Sequence, residues 1–155
     1  MTDRHLIGWR EWISLPELHV PHIKAKIDTG ARTSALHAFA IETVKARGVW
    51  LARFKLHPFQ GRTDIVKVCE AEIIDRRWVT DSGGHREQRY VIVTTAQVSS
   101  HQWPIEMTLT DRDIMRFRML LGRTALDSKF LVDPKASYLI GTLPPGRKKR
   151  TKPRT

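Results

Sequence analysis

The sequence predicts a small all-β protein, a closed barrel or sandwich with one short helix. Three observations lead there. Between residues 7 and 140 the chain carries many short runs of alternating, β-branched or aromatic residues. Turn chemistry separates them, as in His57-Pro58-Phe59-Gln60-Gly61 and Thr80-Asp81-Ser82-Gly83-Gly84-His85. A short segment, Thr124-Ala125-Leu126, supplies the helix. A length of 155 residues fits one domain with a core of its own.

Each element has its own local reason. Residues 7–15, with Trp9, Trp12 and Ile13, read as a first strand or a pair of short ones, and Pro16 and Pro21 bracket the next connection. Across residues 20–27, Ile23, Ala25 and Ile27 fall on one face and Lys24 and Lys26 on the other. That period of two marks a half-buried strand, which runs into a Gly-containing turn at Asp28. Residues 33–43 are apolar and alanine-containing, and helix competes with strand there. Val49–Leu56 alternates imperfectly and reads as strand. Residues 65–79 and 88–98 are long β-prone runs, joined by the turn at 80–85 into a hairpin. Residues 103–109 form a further strand, 111–117 a turn or one helical turn, and 118–121, 130–133 and 137–140 complete the set.

Composition narrows the class. Formal net charge is +11, and six of the 27 basic residues lie in 142–155. The body, residues 1–141, keeps 21 basic against 16 acidic residues, or +5. Pro144, Pro145, Gly146 and Pro153 argue against regular structure in the tail, so 142–155 is expected to be a disordered basic arm. Such an arm is either simply solvated or a contact for polyanions. No apolar h-region follows Met1 and no run reaches transmembrane length, so a membrane partner is not expected. The single cysteine, Cys69, has no internal disulfide partner and reads as a buried thiol on a strand. A cytoplasmic location is the expectation.

The chemistry centres on Ile27-Asp28-Thr29-Gly30-Ala31. Asp and Gly are common in turns, and composition alone supports a plain turn. The wider pattern points further. Asp-Thr-Gly-Ala after an apolar strand, with Met119-Leu120-Leu121-Gly122-Arg123 downstream, resembles the retropepsin-like aspartic proteases. The longer set 27–36, Leu109-Thr110-Asp111-Arg112, 119–123 and Leu131-Val132-Asp133-Pro134 is similar to a bacterial branch labelled ATP-dependent zinc protease. The resemblance spans roughly residues 8–140 and implies that 33–43 is strand.

The resemblance also implies an aspartic peptidase. Hydrolysis by carboxylates needs two of them sharing a proton, since like charges about 3 Å apart cannot both ionise. One Asp-Thr-Gly loop per chain implies a homodimer with one Asp28 from each copy. Thr29 would bond across the dimer axis, Gly30 would allow close backbone approach, and Ala31 would stay small for the same reason. The rival Asp81-Ser82-Gly83 is better read as a hairpin turn. Its tip, with Gly83, is one flap candidate, and residues 57–62 are another. Arg32 and Arg123 flank the two motif segments and would favour carboxylate-rich substrates, with Arg112, Arg116 and Arg118 adding to that surface. Ion pairing with Asp111, Asp113 or Asp127 is the alternative role for these arginines. Relatives in the branch are associated with ATP-grasp glutamate ligases, which points to glutamate-rich peptide or protein substrates. No cofactor is expected: there is no His-Glu-x-x-His, no Cys pair and no Gly-rich phosphate loop, and His19, His22 and His37 lack a ligand set. A non-catalytic basic module on the same fold, binding ribosome, RNA or an acidic protein, is the rival function. A metallopeptidase is a third.

Overall fold

The computed structural model describes residues 4–59, 62–81, 83–111, 117–127 and 129–141. The expected tail, 142–155, lies outside them, as do Ser82, Arg112, Asp113 and Arg116. The strands are β1 (His5–Leu15), β2 (Val20–Asp28), β3 (Ser34–His37), β4 (Phe39–Ala46), β5 (Val49–Leu56), β6 (Lys67–Thr80), β7 (Arg86–Val98), β8 (His101–Thr110), β9 (Met119–Gly122) and β10 (Phe130–Ser137). Among the described residues a short helix, α1 (Arg123–Leu126), follows β9, and a 3-10 turn, Pro16–Leu18, follows β1. The all-β expectation holds.

Six strands close into a barrel in the order β1-β2-β9-β3-β8-β7, sealed by Ser14 of β1 facing Gln97 of β7. Outside it, β10 runs parallel to β1, and β6, β5 and β4 extend the sheet beyond β7. The barrel interior is where the alternating runs pay out their apolar faces. Ile13, Ile23, Leu36, Ile92, Met107, Met119 and Leu121 are all buried to 1% exposure or less. The expected face of β2 is the buried one, with Ile23, Ala25 and Ile27 inward and Lys26 outward.

Two segments differ from expectation. Residues 33–43 are not one strand. β3 stays in the barrel between β8 and β9, and β4 pairs with β5 outside it. The chain turns out between them at Ala38, and Ala40, early in β4 where the pairing with β5 shifts register, takes a left-handed φ of 51°. Residues 137–140 form no separate strand either. They are held by a side chain, the fully buried carboxylate of Glu11. Its oxygens accept from the backbone N–H of Gly8 and Leu139 at 2.8 Å each, of Gly141 at 2.8 Å, and of Ile140 at 3.2 Å. A carboxylate with several N–H donors replaces the ladder that a strand would have supplied.

Candidate active site

Asp28 sits at the last position of β2, where β2 runs parallel to β9 with Ile27 opposite Leu121 and Asp28 opposite Gly122. The two sequence motifs are therefore neighbours in one ladder. Beyond Asp28 the loop folds back on itself. Asp28 Oδ1 accepts the Gly30 N–H at 3.0 Å, and Asp28 O accepts the Ala31 N–H at 3.2 Å. The loop is then fastened to the start of α1: Arg123 N–H donates to Ala31 O at 2.7 Å and Thr124 N–H to Arg32 O at 3.0 Å. Gly122 makes this crossing possible. A Cβ there would lie 2.6 Å from Thr33 C and 2.8 Å from Thr33 O. The Gly122 N–H in turn donates to Ser34 Oγ at 3.0 Å.

Asp28, Gly30, Ala31 and Arg32 border an open cleft of about 1540 Å³. The far side is the β6–β7 hairpin, which contributes Arg77, Val79, Asp81, Gly83, His85 and Arg89. Of the two flap candidates, this hairpin is the one over the cleft. Residues 57–59 and 62 do not border it, and 60–61 lie outside the described residues. Asp81 acts as the turn residue that its sequence suggests. Its Oδ1 accepts the N–H of Gly83 at 3.0 Å and of His85 at 2.9 Å, and its carbonyl accepts that of Gly84 at 3.0 Å.

The arginines divide by role. Arg32 is exposed and borders the cleft. Arg123 does not border it; its Nη1 donates to Thr29 O at 3.1 Å, which makes it a support of the Asp28 loop. Arg118 is buried. Among the described residues neither Arg32 nor Arg123 has a carboxylate at ion-pair distance, so the pairing with Asp111 or Asp127 is not made. Sequence reasoning missed Lys26, which is exposed, lies on the outward face of β2 two residues before Asp28, and borders the cleft. Its place on that face was readable from the alternation, but the cleft was not. It also missed Arg77 and Arg89 in the far wall. Arg77 pairs with Glu106 and Asp75 at 2.7 Å each, and those hydrogen bonds raise its pKa further above the ordinary arginine value. Arg89 Nε pairs with Glu87 at 2.6 Å.

The cleft's other carboxylates, among the described residues, are Asp81 and Glu106. The first is spent on its hairpin turn and the second on Arg77. Asp28 therefore has no free carboxylate partner among the described residues of its own chain. The same residues contain no group of three or more His, Cys, Asp and Glu able to hold a metal ion. No helix among them is long and apolar enough to cross a membrane.

With this geometry in view, comparison with known proteins is informative. The family model described as "Retropepsin-like aspartic endopeptidase RimB" matches residues 6–142. A probable alpha-L-glutamate ligase of Shewanella halifaxensis is 47% identical over 142 residues, 91% of this chain but 31% of that protein. One of Parasynechococcus marenigrum is 43% identical over 143 residues, again 31% of its length. The chain thus spans about a third of these relatives. A crystal structure of a Legionella pneumophila protein of unknown function matches with a TM-score of 0.74 and 24% identity, over 88% of this chain and 98% of that one. That likeness bears on the fold alone. Neither the family description nor these names carry the zinc-protease label that the resemblance brought.

Proposed function

The chain belongs to the RimB-like family of retropepsin-like aspartic endopeptidases, and from that premise we propose that it hydrolyses peptide bonds with a pair of Asp28 carboxylates, one from each of two copies. The supporting observation is Asp28 itself, held at the cleft edge by a loop hydrogen-bonded to itself and to the start of α1, with no free carboxylate beside it in the described part of its own chain. In the proposed pair one carboxyl is ionised and the other protonated. The ionised one takes a proton from water as the water oxygen attacks the peptide carbonyl carbon, and the protonated one gives its proton to the carbonyl oxygen. The tetrahedral intermediate then collapses. The C–N bond breaks, the nitrogen takes a proton from the first carboxyl, and a hydroxyl of the intermediate returns one to the second.

The proposed substrates are acidic, glutamate-rich peptides. Lys26 and Arg32 border the cleft without carboxylate partners among the described residues, so both charges are free for a substrate carboxylate. The curated relatives are named probable alpha-L-glutamate ligases, and a hydrolase for glutamyl peptides is a chemical counterpart to such an enzyme. That same name favours a second reading, in which this fold is a non-catalytic module working beside a ligase. In either reading the protein acts in the cytoplasm, and residues 142–155 add unspecific attraction to polyanions.

Three variants test the proposal. Asp28→Asn should abolish cleavage of a glutamate-rich peptide in a protein that still folds. Lys26→Ala and Arg32→Ala should each lower the preference for that peptide over a neutral one by about tenfold, the lower end of a charge-assisted hydrogen bond. Full activity in folded Asp28→Asn protein would remove the mechanism. Equal cleavage of both peptides by the wild type at low salt would remove the substrate class.

A further inference from the structure

The β6–β7 hairpin has a second face that meets the cleft only at its edge, through Trp78 and Thr80. In its register Arg76 faces Tyr90, Trp78 faces Gln88, and Thr80 faces Arg86, while Arg77 faces Arg89 on the alternate positions. Two-residue alternation therefore puts Arg77, Val79, Glu87 and Arg89 on the inner face and Arg76, Trp78, Tyr90 and Arg86 on the outer one. The two faces treat their arginines differently. Each inner arginine is matched by carboxylates: Arg77 by Glu106 and Asp75, Arg89 by Glu87. The outer arginines lie on aromatic rings instead. The Arg86 guanidinium is 4.5 Å from the Trp78 ring centre, and that of Arg76 is 5.5 Å from the Tyr90 ring centre. Among the described residues neither outer arginine has an ion-pair partner.

The outer face thus combines two unneutralised, planar cations with two aromatic rings. Trp78 is 58% exposed, although a tryptophan normally buries most of its area. We infer that this outer face of the β6–β7 hairpin is a docking surface for single-stranded nucleic acid. Bases stack on aromatic and guanidinium planes, and arginines pair with the backbone phosphates. An acidic polypeptide would satisfy the arginines but gain little from an exposed indole, so the aromatic content favours nucleic acid. Trp78 also borders the cleft, so a bound strand would lie next to its mouth. The inference is independent of the proposed hydrolysis.

The test is fluorescence anisotropy of the full chain with a labelled oligouridylate of about twelve nucleotides, a length within the usual site sizes. Using the full chain keeps residues 142–155 constant in every comparison. Trp78→Ala should weaken binding by about tenfold at constant salt, and Trp78→Phe should recover most of it. Arg76→Ala combined with Arg86→Ala should reduce the slope of log affinity against log salt by about 1 to 1.5, the share of two phosphate contacts on a single strand. Thermal unfolding of each variant confirms that the fold is kept. Unchanged affinity in folded Trp78→Ala, or complete displacement of the RNA by an equal charge of polyglutamate, would overturn the assignment.

Discussion

At position 122 the chain tolerates glycine for reasons of space rather than of backbone angle. Its φ of −88° is open to any residue, but an added Cβ would collide with backbone atoms of Thr33 and Ser34 at 2.6 to 2.9 Å. Gly122→Ala must push the Asp28 loop away from β9. The expected result is a loss of about 1–3 kcal/mol in urea unfolding, as for other overpacked sites, together with a larger loss of hydrolysis. Glu11 is the other single residue on which much depends. Glu11→Gln keeps the size but turns part of the acceptor into a donor that faces backbone N–H groups. It should cost about 2 kcal/mol and expose the segment 138–141 to proteolysis. Cys69 is reactive on no comparable scale. Burial pushes its thiol up to about 11, against an opposing pull from Lys67. A raised pKa stabilises the folded protein below pH 9.0, the ordinary thiol value, and that contribution fades as pH climbs toward 11. Iodoacetamide at pH 8 should therefore modify Cys69 in urea and hardly at all in native buffer.

Among the elements, the β6–β7 hairpin and the loop after β2 are the two that bring chemistry to the cleft, and both are organised by an aspartate at a turn. Asp28 and Asp81 each bond the N–H two residues on, at 3.0 Å. The similarity is local, and the surroundings separate them. The Asp28 loop is clamped to α1 through Ala31 and Arg32, whereas the Asp81 turn is the tip of a hairpin that overhangs the cleft. Asp81→Ala frees the N–H groups of Gly83 and His85 and should loosen the tip. If the hairpin closes over substrate, KM rises severalfold with kcat less affected, and steady-state kinetics decides it. An unchanged KM would mean that the hairpin is a wall and not a flap.

For the whole molecule, the barrel closes without supplying, among the described residues, a second free carboxylate beside Asp28. Activity should accordingly depend on association, and specific activity should fall on dilution below the dimerisation constant. Sedimentation run beside the assay checks this; a strictly monomeric species with full activity would exclude the paired Asp28 arrangement. The described part of the molecule also offers no three-ligand metal cluster, so chelators should leave hydrolysis unchanged, with zinc-restored activity as the contrary result.

The strand class, the two motif segments, the hairpin turn at Asp81 and the burial of Cys69 were all legible in the sequence, because each is written in neighbouring residues: a period of two, a Gly-containing turn, a β-branched run. The segment 33–43 was harder, since nothing local says that the chain leaves the barrel at Ala38 to pair with β5 instead of β8. Long-range pairing decided the rest. Arg123 turned from the cleft to Thr29 because the β2–β9 ladder sets 94 residues of separation within hydrogen-bond reach. Lys26 became a cleft residue only when the hairpin folded over it. Glu11, an acidic residue inside an apolar strand, found three of its four donors 128 to 130 positions away. Alternation tells which face a side chain takes; only the closed barrel tells what that face meets.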